Sequence, residues 1–367
     1  MGEGSTWSRL PSSTHKFHVL DALENKRSYR ASAAYINFER EKKMGFPKKI
    51  MAAICAVILG AAGLSGCGSS TNGSSGTKTT GDSNAKIKLG YVPSTMNNPF
   101  WQAILDGVNE QIEGKSVSVQ SVDPQADQAK MNDMVGDLIA SGVDAIILGP
   151  YDTIGVQPAL QAAADANIPV INIDTPVDDQ DLVKTVVASD NGKAGSLVAE
   201  DMMKKLKKGS DVAVVNCPAG QACIDRLDGF KKTAGDYFNI VQELDGKGEL
   251  STSLTLTEDI LQSNPNVKAI FGVNDPMALG AVQALAAHPE MSDVLVYGVD
   301  GSPDGKKAIK DGTMTGTGAQ SPEQIGKKAA QAALDVLDGK TVDKNIVVDT
   351  FLIDKSNVDQ YGTDGWQ

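Results

Sequence analysis

Polar side chains with complementary hydrogen-bonding chemistry, together with two aromatic rings, stand where apolar runs of this chain end. The candidates are Asn98, Phe100, Trp101, Asp174, Arg226, Asn274, Asp300 and Gln320. Carboxylates accept two hydroxyl protons, an arginine donates in a planar fork, and amide side chains do both. Vicinal hydroxyl groups can therefore be held with every lone pair matched, while an aromatic face covers apolar C–H groups. This combination predicts a pocket for a monosaccharide.

The stretch from Asn98 to Trp101 lies at a strand-to-helix turn. An apolar run at 87–92 predicts a buried strand, and residues 102–108 have helical spacing. Asn98 is a natural N-cap and Pro99 a natural first helical residue, because proline has no N–H and keeps the preceding residue out of helical geometry. Two rings therefore begin a helix at the carboxyl end of a strand, where ligands bind in open α/β sheets. Taken alone, Phe100 and Trp101 fit a core role equally well.

Strands and helices alternate from Lys86 onward. Segments such as 131–139 and 278–285 have helical spacing. Apolar runs predict strands at residues 87–92, 117–122, 145–148, 169–173, 185–188, 212–216, 240–244, 267–271 and 294–299. Strands that are nearly all apolar and separated by helices indicate parallel sheets covered on both faces. So many strands exceed one comfortable sheet, so we predict two doubly wound, Rossmann-like α/β lobes with a ligand in the crevice between them.

Two other interpretations of the polar residues stay open at this point. Each Asp or Asn individually fits an N-cap, because each precedes a predicted helix. The carboxylates Asp174 and Asp300 also permit a glycosidase, but that chemistry needs one acid of raised pKa, and we expect Arg226 in the same cleft to lower the pKa of both. No phosphate-binding glycine loop follows a strand, and no Ser or Cys has a basic partner. We therefore predict a binding protein and not an enzyme.

The charge balance argues against nucleic acid as a partner. The first 66 residues hold 10 Lys/Arg and 5 Asp/Glu, which leaves 24 Lys/Arg and 41 Asp/Glu, a net charge of −17, in the rest. So acidic a body repels phosphate backbones. His288 is the one histidine beyond residue 66, and Cys217 and Cys223 have no histidine partners. We predict no metal site and no cofactor.

The leader has the features of an export signal. Lys48 and Lys49 precede an uncharged run at 50–64, which has the length of a signal-peptide core. The run ends in Leu64-Ser65-Gly66-Cys67, which resembles the bacterial lipoprotein box; a small-residue cleavage site with an incidental cysteine is the alternative. We expect Met44 to be the true start, residues 1–43 a mis-assigned extension and 44–66 the signal peptide. Cys67 is the expected lipid attachment, and residues 67–85, rich in Gly, Ser and Thr, a flexible tether.

Cys217 and Cys223 are the cysteines that remain beyond Cys67. Outside the cell a disulfide that closes the small loop between them is plausible. Two unpaired buried thiols are an equally good interpretation of the spacing.

Six motifs in register give the chain a family resemblance over residues 86–355. They are STMNNPF (94–100), ANIPV (166–170), ASDN (188–191), NDPMALG (274–280), DGSPDG (300–305) and AQSPEQIG (319–326). The chain resembles the type I periplasmic sugar-binding proteins, above all their ribose-binding members. The resemblance implies that the polar candidates hydrogen-bond a sugar while Phe100 and Trp101 stack on it. It also implies lobes made of residues 86–188 plus 321–349 and 189–320 plus 350–367, joined by a three-stranded hinge and closing around the ligand.

Two departures from the ribose-binding pattern bear on the ligand. Ribose-binding members have an arginine directly after the first strand-end aspartate, where this chain has Thr175. They also have a third stacking phenylalanine from the second lobe, where this chain has Gly248. Because this chain lacks that arginine and that phenylalanine, we expect a roomier pocket in which Phe100 and Trp101 supply most of the stacking. A hexose or a polyol is then at least as good a ligand as ribose.

The expected protein is an exported, lipid-anchored monomer on the outer face of the cell membrane. Its expected partners are a monosaccharide and the permease and ATPase of an ABC importer. The alternative is a sensor subunit that presents a sugar or signalling molecule to a chemoreceptor or sensor kinase, since both roles use the closed form. Repressors of the same fold need a DNA-binding helix-turn-helix where this chain has a secretion signal and a tether.

Overall fold

A computed structural model describes residues 78–80 and 86–367. The predicted extension, the predicted signal peptide, Cys67 and most of the predicted tether lie outside the described residues. The described part forms two α/β lobes, which we call the N-lobe and the C-lobe in the order in which the chain enters them.

The N-lobe contains one mostly parallel sheet with helices on both faces. Its strands are β1 (Lys78–Thr80), β2 (Ile87–Val92), β3 (Val117–Ser121), β4 (Ala145–Leu148), β5 (Val170–Ile173), β6 (Thr185–Ser189) and β12 (Asn345–Val348), in the spatial order β1-β3-β2-β4-β5-β6-β12. Its helices are α1 (Pro99–Ile112), α2 (Gln128–Ala140), α3 (Gln157–Asp165) and α9 (Pro322–Leu337). Side chains alternate across the sheet: Ile147 of β4 packs with α1 and α9, whereas Ile146 and Leu148 pack with α2 and α3. This double coverage explains the all-apolar strands.

The C-lobe repeats the same architecture. Its strands are β7 (Asp211–Asn216), β8 (Asn239–Asp245), β9 (Ala269–Gly272), β10 (Leu295–Asp300), β11 (Gly316–Ala319) and β13 (Phe351–Asp354), in the order β13-β11-β10-β9-β7-β8. Its helices are α4 (Asn191–Lys205), α5 (Gln221–Ala234), α6 (Leu250–Ser263), α7 (Asp275–Leu285), α8 (Pro303–Asp311) and α10 (Val358–Tyr361), with 3₁₀ turns at Gln180–Leu182 in the N-lobe and Pro289–Met291 here. All pairs are parallel except β1 with β3 and β11 with β13. The predicted fold class is confirmed.

The chain crosses between the lobes three times within the described residues. The crossings fall between β6 and α4, between β11 and α9, and between β12 and β13. Parallel strands therefore present their carboxyl ends toward a common crevice from both sides.

Some strands differ from those that the sequence predicts. β8 lies at the sheet edge and is largely exposed, with Ile240 37% exposed, so its apolar residues do not mark a buried strand. β12 and β13 hold few consecutive apolar residues and were not predicted from composition. Residues 78–80, within the predicted tether, form β1 and pair antiparallel with the edge strand β3.

Helices α1 and α9 pack at backbone distance because each carries a glycine at the crossing point. A Cβ on Gly107 would lie 2.1 Å from the carbonyl oxygen of Glu323, and a Cβ on Gly326 would lie 2.0 Å from that of Ile104. Real Cβ atoms do not approach so closely, so any side chain at either position forces the helices apart. This contact fastens α9, which follows the second crossing, onto the helix that begins the site.

Gly326→Ala is expected to lower the free energy of unfolding by about 1–3 kcal/mol, because the added methyl overpacks the α1–α9 contact. The matched control is Gly136→Ala, the same change in the exposed face of α2, where no heavy atom lies within 4 Å of the added Cβ. The control should raise stability by up to about 1 kcal/mol through helix propensity. Chemical denaturation of the two variants measures the difference, and equal effects would contradict the packing argument.

Candidate ligand-binding site

A cavity of about 740 Å³ lies between the two lobes, at the carboxyl ends of their strands. Residues from both lobes line it. The sequence-predicted candidates on its wall are Asn98, Phe100, Trp101, Asp174, Arg226, Asn274 and Asp300. Gln320 is fully buried and contacts Asp300 without lining the cavity. The fold thus brings all eight candidates to one place, seven on the wall and one behind it.

The start of α1 forms one wall. Asn98 caps the helix as predicted, its Oδ1 accepting from the backbone N–H of Phe100 at 3.0 Å, and Pro99 is the first helical residue. Phe100 and Trp101 are 4% and 5% exposed and meet edge to face, with ring centroids 5.6 Å apart. A Cβ on Gly149 would lie 2.3 Å from the Trp101 ring, so a glycine makes room for it. The two rings belong to the N-lobe core and line the cavity as well.

Asp174 follows β5 and carries a buried carboxylate with one unsatisfied oxygen. Its Oδ2 accepts from the Thr175 hydroxyl at 3.0 Å, whereas its Oδ1 has no hydrogen-bond partner among the described residues. Its backbone has φ of 60°, a conformation that costs a non-glycine residue about 1–3 kcal/mol. Buried polar atoms are almost always hydrogen-bonded, so an orphaned carboxylate oxygen on a residue that lines the cavity marks a place for a donor from a ligand.

Arg226, from α5 in the C-lobe, lies between carboxylates of both lobes. Its Nε donates to Asn191 Oδ1 at 2.8 Å, and its Nη1 donates to the carbonyl of Val273 at 3.0 Å. Nη1 lies 3.6 Å from Asp300 Oδ1, and Nη2 lies 4.0 Å from Asp174 Oδ1. The second distance is too long for a hydrogen bond. The guanidinium is therefore fixed on one side and leaves its Nη2 free of Asp174.

Asp300 ends β10 and is held from behind. Its Oδ1 accepts from Gln320 Nε2 at 2.9 Å, and its Oδ2 accepts from the backbone N–H of Asp275 at 3.3 Å. Its φ of 143° lies in the disfavoured positive region, as does that of Asp174. Sequence reasoning missed Asp275, a fully buried carboxylate that accepts from Ser302 and Thr317 and does not line the cavity. Its place directly after Asn274 was the available signal.

Burial decides the pKa of the cleft carboxylates. It raises the pKa of Asp174 although Arg226 and Thr175 act to lower it. It raises the pKa of Asp300 to about 7, with Arg226 opposing and the neighbouring Asp275 adding to the shift. Arg226 acts to lower the pKa of both groups as expected, but desolvation of the carboxylates outweighs the attraction of one guanidinium, so the expectation that neither acid has a raised pKa is wrong.

Asn274 and Gly248 lie together on the C-lobe wall. Asn274 caps α7, with Oδ1 accepting from the N–H of Met277, and its Nδ2 donates to the carbonyl of Gly248 at 3.1 Å. The N-cap interpretation of Asn274 is therefore confirmed, and the same residue lines the cavity. Gly248 has φ of +76°, which an aromatic residue adopts only with strain. No ring can be expected from this position.

A disulfide-closed loop brings the lobes together at the rim. Cys217 and Cys223 are bonded, with Cα atoms 5.6 Å apart, so of the two interpretations of these cysteines the disulfide is confirmed. Inside this loop the carbonyl of Ala219 accepts from the N–H of Thr153 in the N-lobe at 3.2 Å. The N–H of Gln221 donates to the hydroxyl of Thr153 at 3.1 Å. These hydrogen bonds join the lobes across the crevice.

Two further aromatic residues line the cavity, Tyr151 and Trp366. Trp366, beyond α10, meets Phe100 edge to face with centroids 5.8 Å apart. The expectation that Phe100 and Trp101 supply most of the stacking surface omitted this residue. Sequence reasoning had no signal for it, because nothing in residues 362–367 indicates where the segment packs.

Two further observations concern the described residues only. None of them form a cluster of three or more His, Cys, Asp or Glu side chains that could hold a metal ion. Their helices include none with the length and apolar character needed to cross a membrane.

Comparison with known proteins places this two-lobed fold in a family. A family model described as a periplasmic binding protein domain matches residues 89–341. The chain belongs to the periplasmic binding protein family. Its members in this comparison are binding proteins for transport and not enzymes.

Relatives in this family share most of the chain. The ribose import binding protein RbsB of Bacillus subtilis (strain 168) is 37% identical over 262 residues, covering 71% of this chain and 85% of that protein. A periplasmic solute-binding protein from Actinobacillus succinogenes with bound D-allose is 30% identical, with a TM-score of 0.70 over 75% of this chain and 100% of its own. One from Bacillus halodurans with bound myo-inositol is 28% identical, with a TM-score of 0.71 over 77% and 99%.

The raised pKa of Asp300 predicts how the ligand-free protein responds to pH. Because the folded state holds a proton on Asp300 up to about pH 7 and the unfolded state releases it near 3.8, the folded state binds more protons between these values. The free energy of unfolding should therefore fall as pH rises through this window, by at most about 1.4 kcal/mol per pH unit from this group.

Asp300→Asn removes this titration and keeps a side chain of the same shape. The difference in unfolding free energy between wild type and variant, measured by chemical denaturation at several pH values from 4.5 to 7.5, should shift against the wild type as pH rises. A difference that does not change with pH would contradict the assignment.

Proposed function

We propose that this chain is an extracytoplasmic solute-binding protein that captures a monosaccharide or a cyclic polyol between its lobes and delivers it to an ABC importer. The observation that carries the proposal is the unpartnered Oδ1 of Asp174, buried beside Arg226 on the wall of an inter-lobe cavity. A buried carboxylate oxygen without a donor is costly, and a hydroxyl group of a ligand supplies the donor.

The polar set around the cavity fits a ring with several hydroxyl groups. Asp174 Oδ1 and Arg226 Nη2 lie 4.0 Å apart, so a hydroxyl oxygen to one side of the line that joins them can lie about 2.8 Å from each, donating to the first and accepting from the second. Phe100 and Trp101 offer apolar surface for the C–H groups of the same ring. This pairing of polar edge and apolar face is what a sugar or cyclitol presents.

The relatives support the same ligand class. One is named a ribose import binding protein, and the two related structures hold D-allose and myo-inositol, all of which are small polyhydroxylated compounds. Thr175, in place of an arginine, donates to Asp174 and adds no charge to the wall. Gly248 adds no ring. An arginine and a phenylalanine at these two positions would each take more room than Thr175 and Gly248 do, and we infer that their absence favours a hexose or cyclitol over ribose.

Capture by lobe closure follows from where the contacts originate. Asp174 belongs to the N-lobe, whereas Arg226 and Asp300 belong to the C-lobe. A ligand that bonds to all three binds the closed form better than any open form, and this differential affinity drives closure. A transport partner can then select the loaded state by its shape.

We further propose that Cys67 carries a lipid anchor after cleavage at residue 66, because the sequence before it has a basic start, an uncharged core and a lipoprotein-like box. In a bacterial host, mass spectrometry of the membrane-extracted protein should find Cys67 as a diacylglyceryl-modified N-terminus. Cys67→Ser should abolish incorporation of labelled fatty acid into the protein, whereas Ser70→Ala should not. Incorporation that survives Cys67→Ser would contradict the proposal.

A thermal-unfolding screen of the wild-type chain against pentoses, hexoses, cyclitols, linear polyols and nucleosides tests the ligand class. A true ligand at a hundred times its dissociation constant should stabilise the protein by about 2.7 kcal/mol. A chain that responds to none of the sugars or polyols would contradict the proposed function.

Calorimetry with the strongest ligand from the screen then tests the site. Asp174→Ala and Arg226→Ala should each weaken binding by roughly 30-fold or more, since losing one buried charged partner costs about 2–5 kcal/mol. Asp236→Ala is the matched control, because that carboxylate is 93% exposed and pairs with Lys208 on the surface. Unchanged affinity in both site variants would exclude this site.

A further inference from the structure

One ring on the cavity wall comes from outside the strand ends. Trp366 follows α10, and its ring is half-buried against the N-lobe core, with Phe100 at 5.8 Å and an interplanar angle of 71°. Edge-to-face packing of this kind fixes one side of a ring. Trp366 also lines the cavity, where its ring contacts that of Phe100 from α1.

The residues on either side of Trp366 are tied to the C-lobe. The carbonyl of Gly365 accepts from Lys306 Nζ at 2.6 Å, and Lys306 is a wholly buried residue of α8. Gln367 Nε2 donates to the carbonyls of Asp300 and Gln320. A Cβ on Gly301 would lie 2.5 Å from Gln367 Nε2, so the glycine after Asp300 leaves the space that Gln367 fills. Gly365 and Gln367 are therefore both hydrogen-bonded to the C-lobe, and Gln367 lies at the ends of β10 and β11.

The segment around Trp366 contacts both lobes across the crevice. The backbone beside Trp366 is bonded to the C-lobe, while its ring packs against Phe100 of the N-lobe. Gly248 on the C-lobe wall has no side chain, and its φ of +76° disfavours an aromatic residue at that position. Gln367 Oε1 is also buried and has no hydrogen-bond partner among the described residues, so this segment has an unused acceptor beside the site.

We propose that Trp366 is a ligand-contacting residue that supplies the C-lobe's aromatic face and determines which rings the cavity accepts. This proposal rests on the proposed function and names one more residue of the same site. The ligands it favours are cyclic, with a continuous apolar C–H face, over linear polyols of the same hydroxyl count. Lys306 and Gln367 are positioning residues, which hold Trp366 in place through the backbone of the segment.

The geometry allows a competing role, in which the Trp366 ring fills the ligand's space and must leave before binding. The two roles predict opposite changes. Removing a contacting ring weakens binding, whereas removing a plug strengthens it.

The test is calorimetry of the full chain with the strongest cyclic ligand from the screen. Trp366→Ala should weaken binding by roughly tenfold or more, Trp366→Leu should behave like Trp366→Ala, and Trp366→Phe should stay within about threefold of wild type. Thr363→Ala is the control in the same segment, because its hydroxyl contacts only Asp364, at 3.4 Å, and does not line the cavity; its affinity should match wild type. Melting of each ligand-free variant reports whether the fold is retained, and Trp366→Leu, which keeps an apolar side chain against Phe100, keeps the test valid if Trp366→Ala is unstable.

Wild-type affinity in the Ala and Leu variants would overturn the proposal, and tighter binding in them would assign the plug role instead and overturn it as well. Both results leave the proposed function standing, because Asp174→Ala still weakens binding. A wild-type chain that binds no sugar or polyol would overturn the proposed function and this inference together.

Discussion

The buried guanidinium of Arg226 is the constraint on which the site depends. An arginine removed from water must find acceptors, and this one finds Asn191, Val273 and the carboxylate of Asp300 within its own lobe. The remaining nitrogen, Nη2, lies 4.0 Å from Asp174 Oδ1 of the other lobe. At this distance it stabilises a negative charge on Asp174 but makes no hydrogen bond to it. The lobes thus meet around a cation whose Nη2 still has N–H groups to donate. A ligand hydroxyl completes the arrangement.

The same region concentrates costs that a purely structural crevice would not carry. Asp174 and Asp300 both have positive φ, and burial raises the pKa of both carboxyl groups. Each strained backbone costs about 1–3 kcal/mol. These costs lie on the residues that end β5 and β10, where the strands deliver side chains to the crevice. The close α1–α9 contact fixes the N-lobe wall that begins with α1. The hydrogen bonds between Thr153 and the disulfide-closed loop join the N-lobe to the C-lobe.

Much of this was predictable from sequence, for physical reasons. Continuous apolar strands require coverage on both faces, which predicted parallel sheets, and their number predicted two lobes. The proline after Asn98 predicted where α1 begins. Parallel topology then places strand-end residues together. The balance between burial and charge was not predictable, because it depends on how much water the folded lobes exclude from Asp300. The position of Gln320 behind Asp300 was not predictable either, because a place at a strand end does not say whether a side chain lines the cavity or lies behind its wall.

Trp366 marks the limit of sequence reasoning in this chain. Its neighbours Gly365 and Gln367 are held by a buried lysine of α8 and by two strand-end carbonyls, contacts that no local pattern indicates. The most direct test of the account is a high-resolution crystal structure with the ligand selected by the screen. We predict one ring hydroxyl within about 3 Å of both Asp174 and Arg226. A ligand that lies in the cavity while the Asp174 carboxylate makes no contact with it would contradict the account.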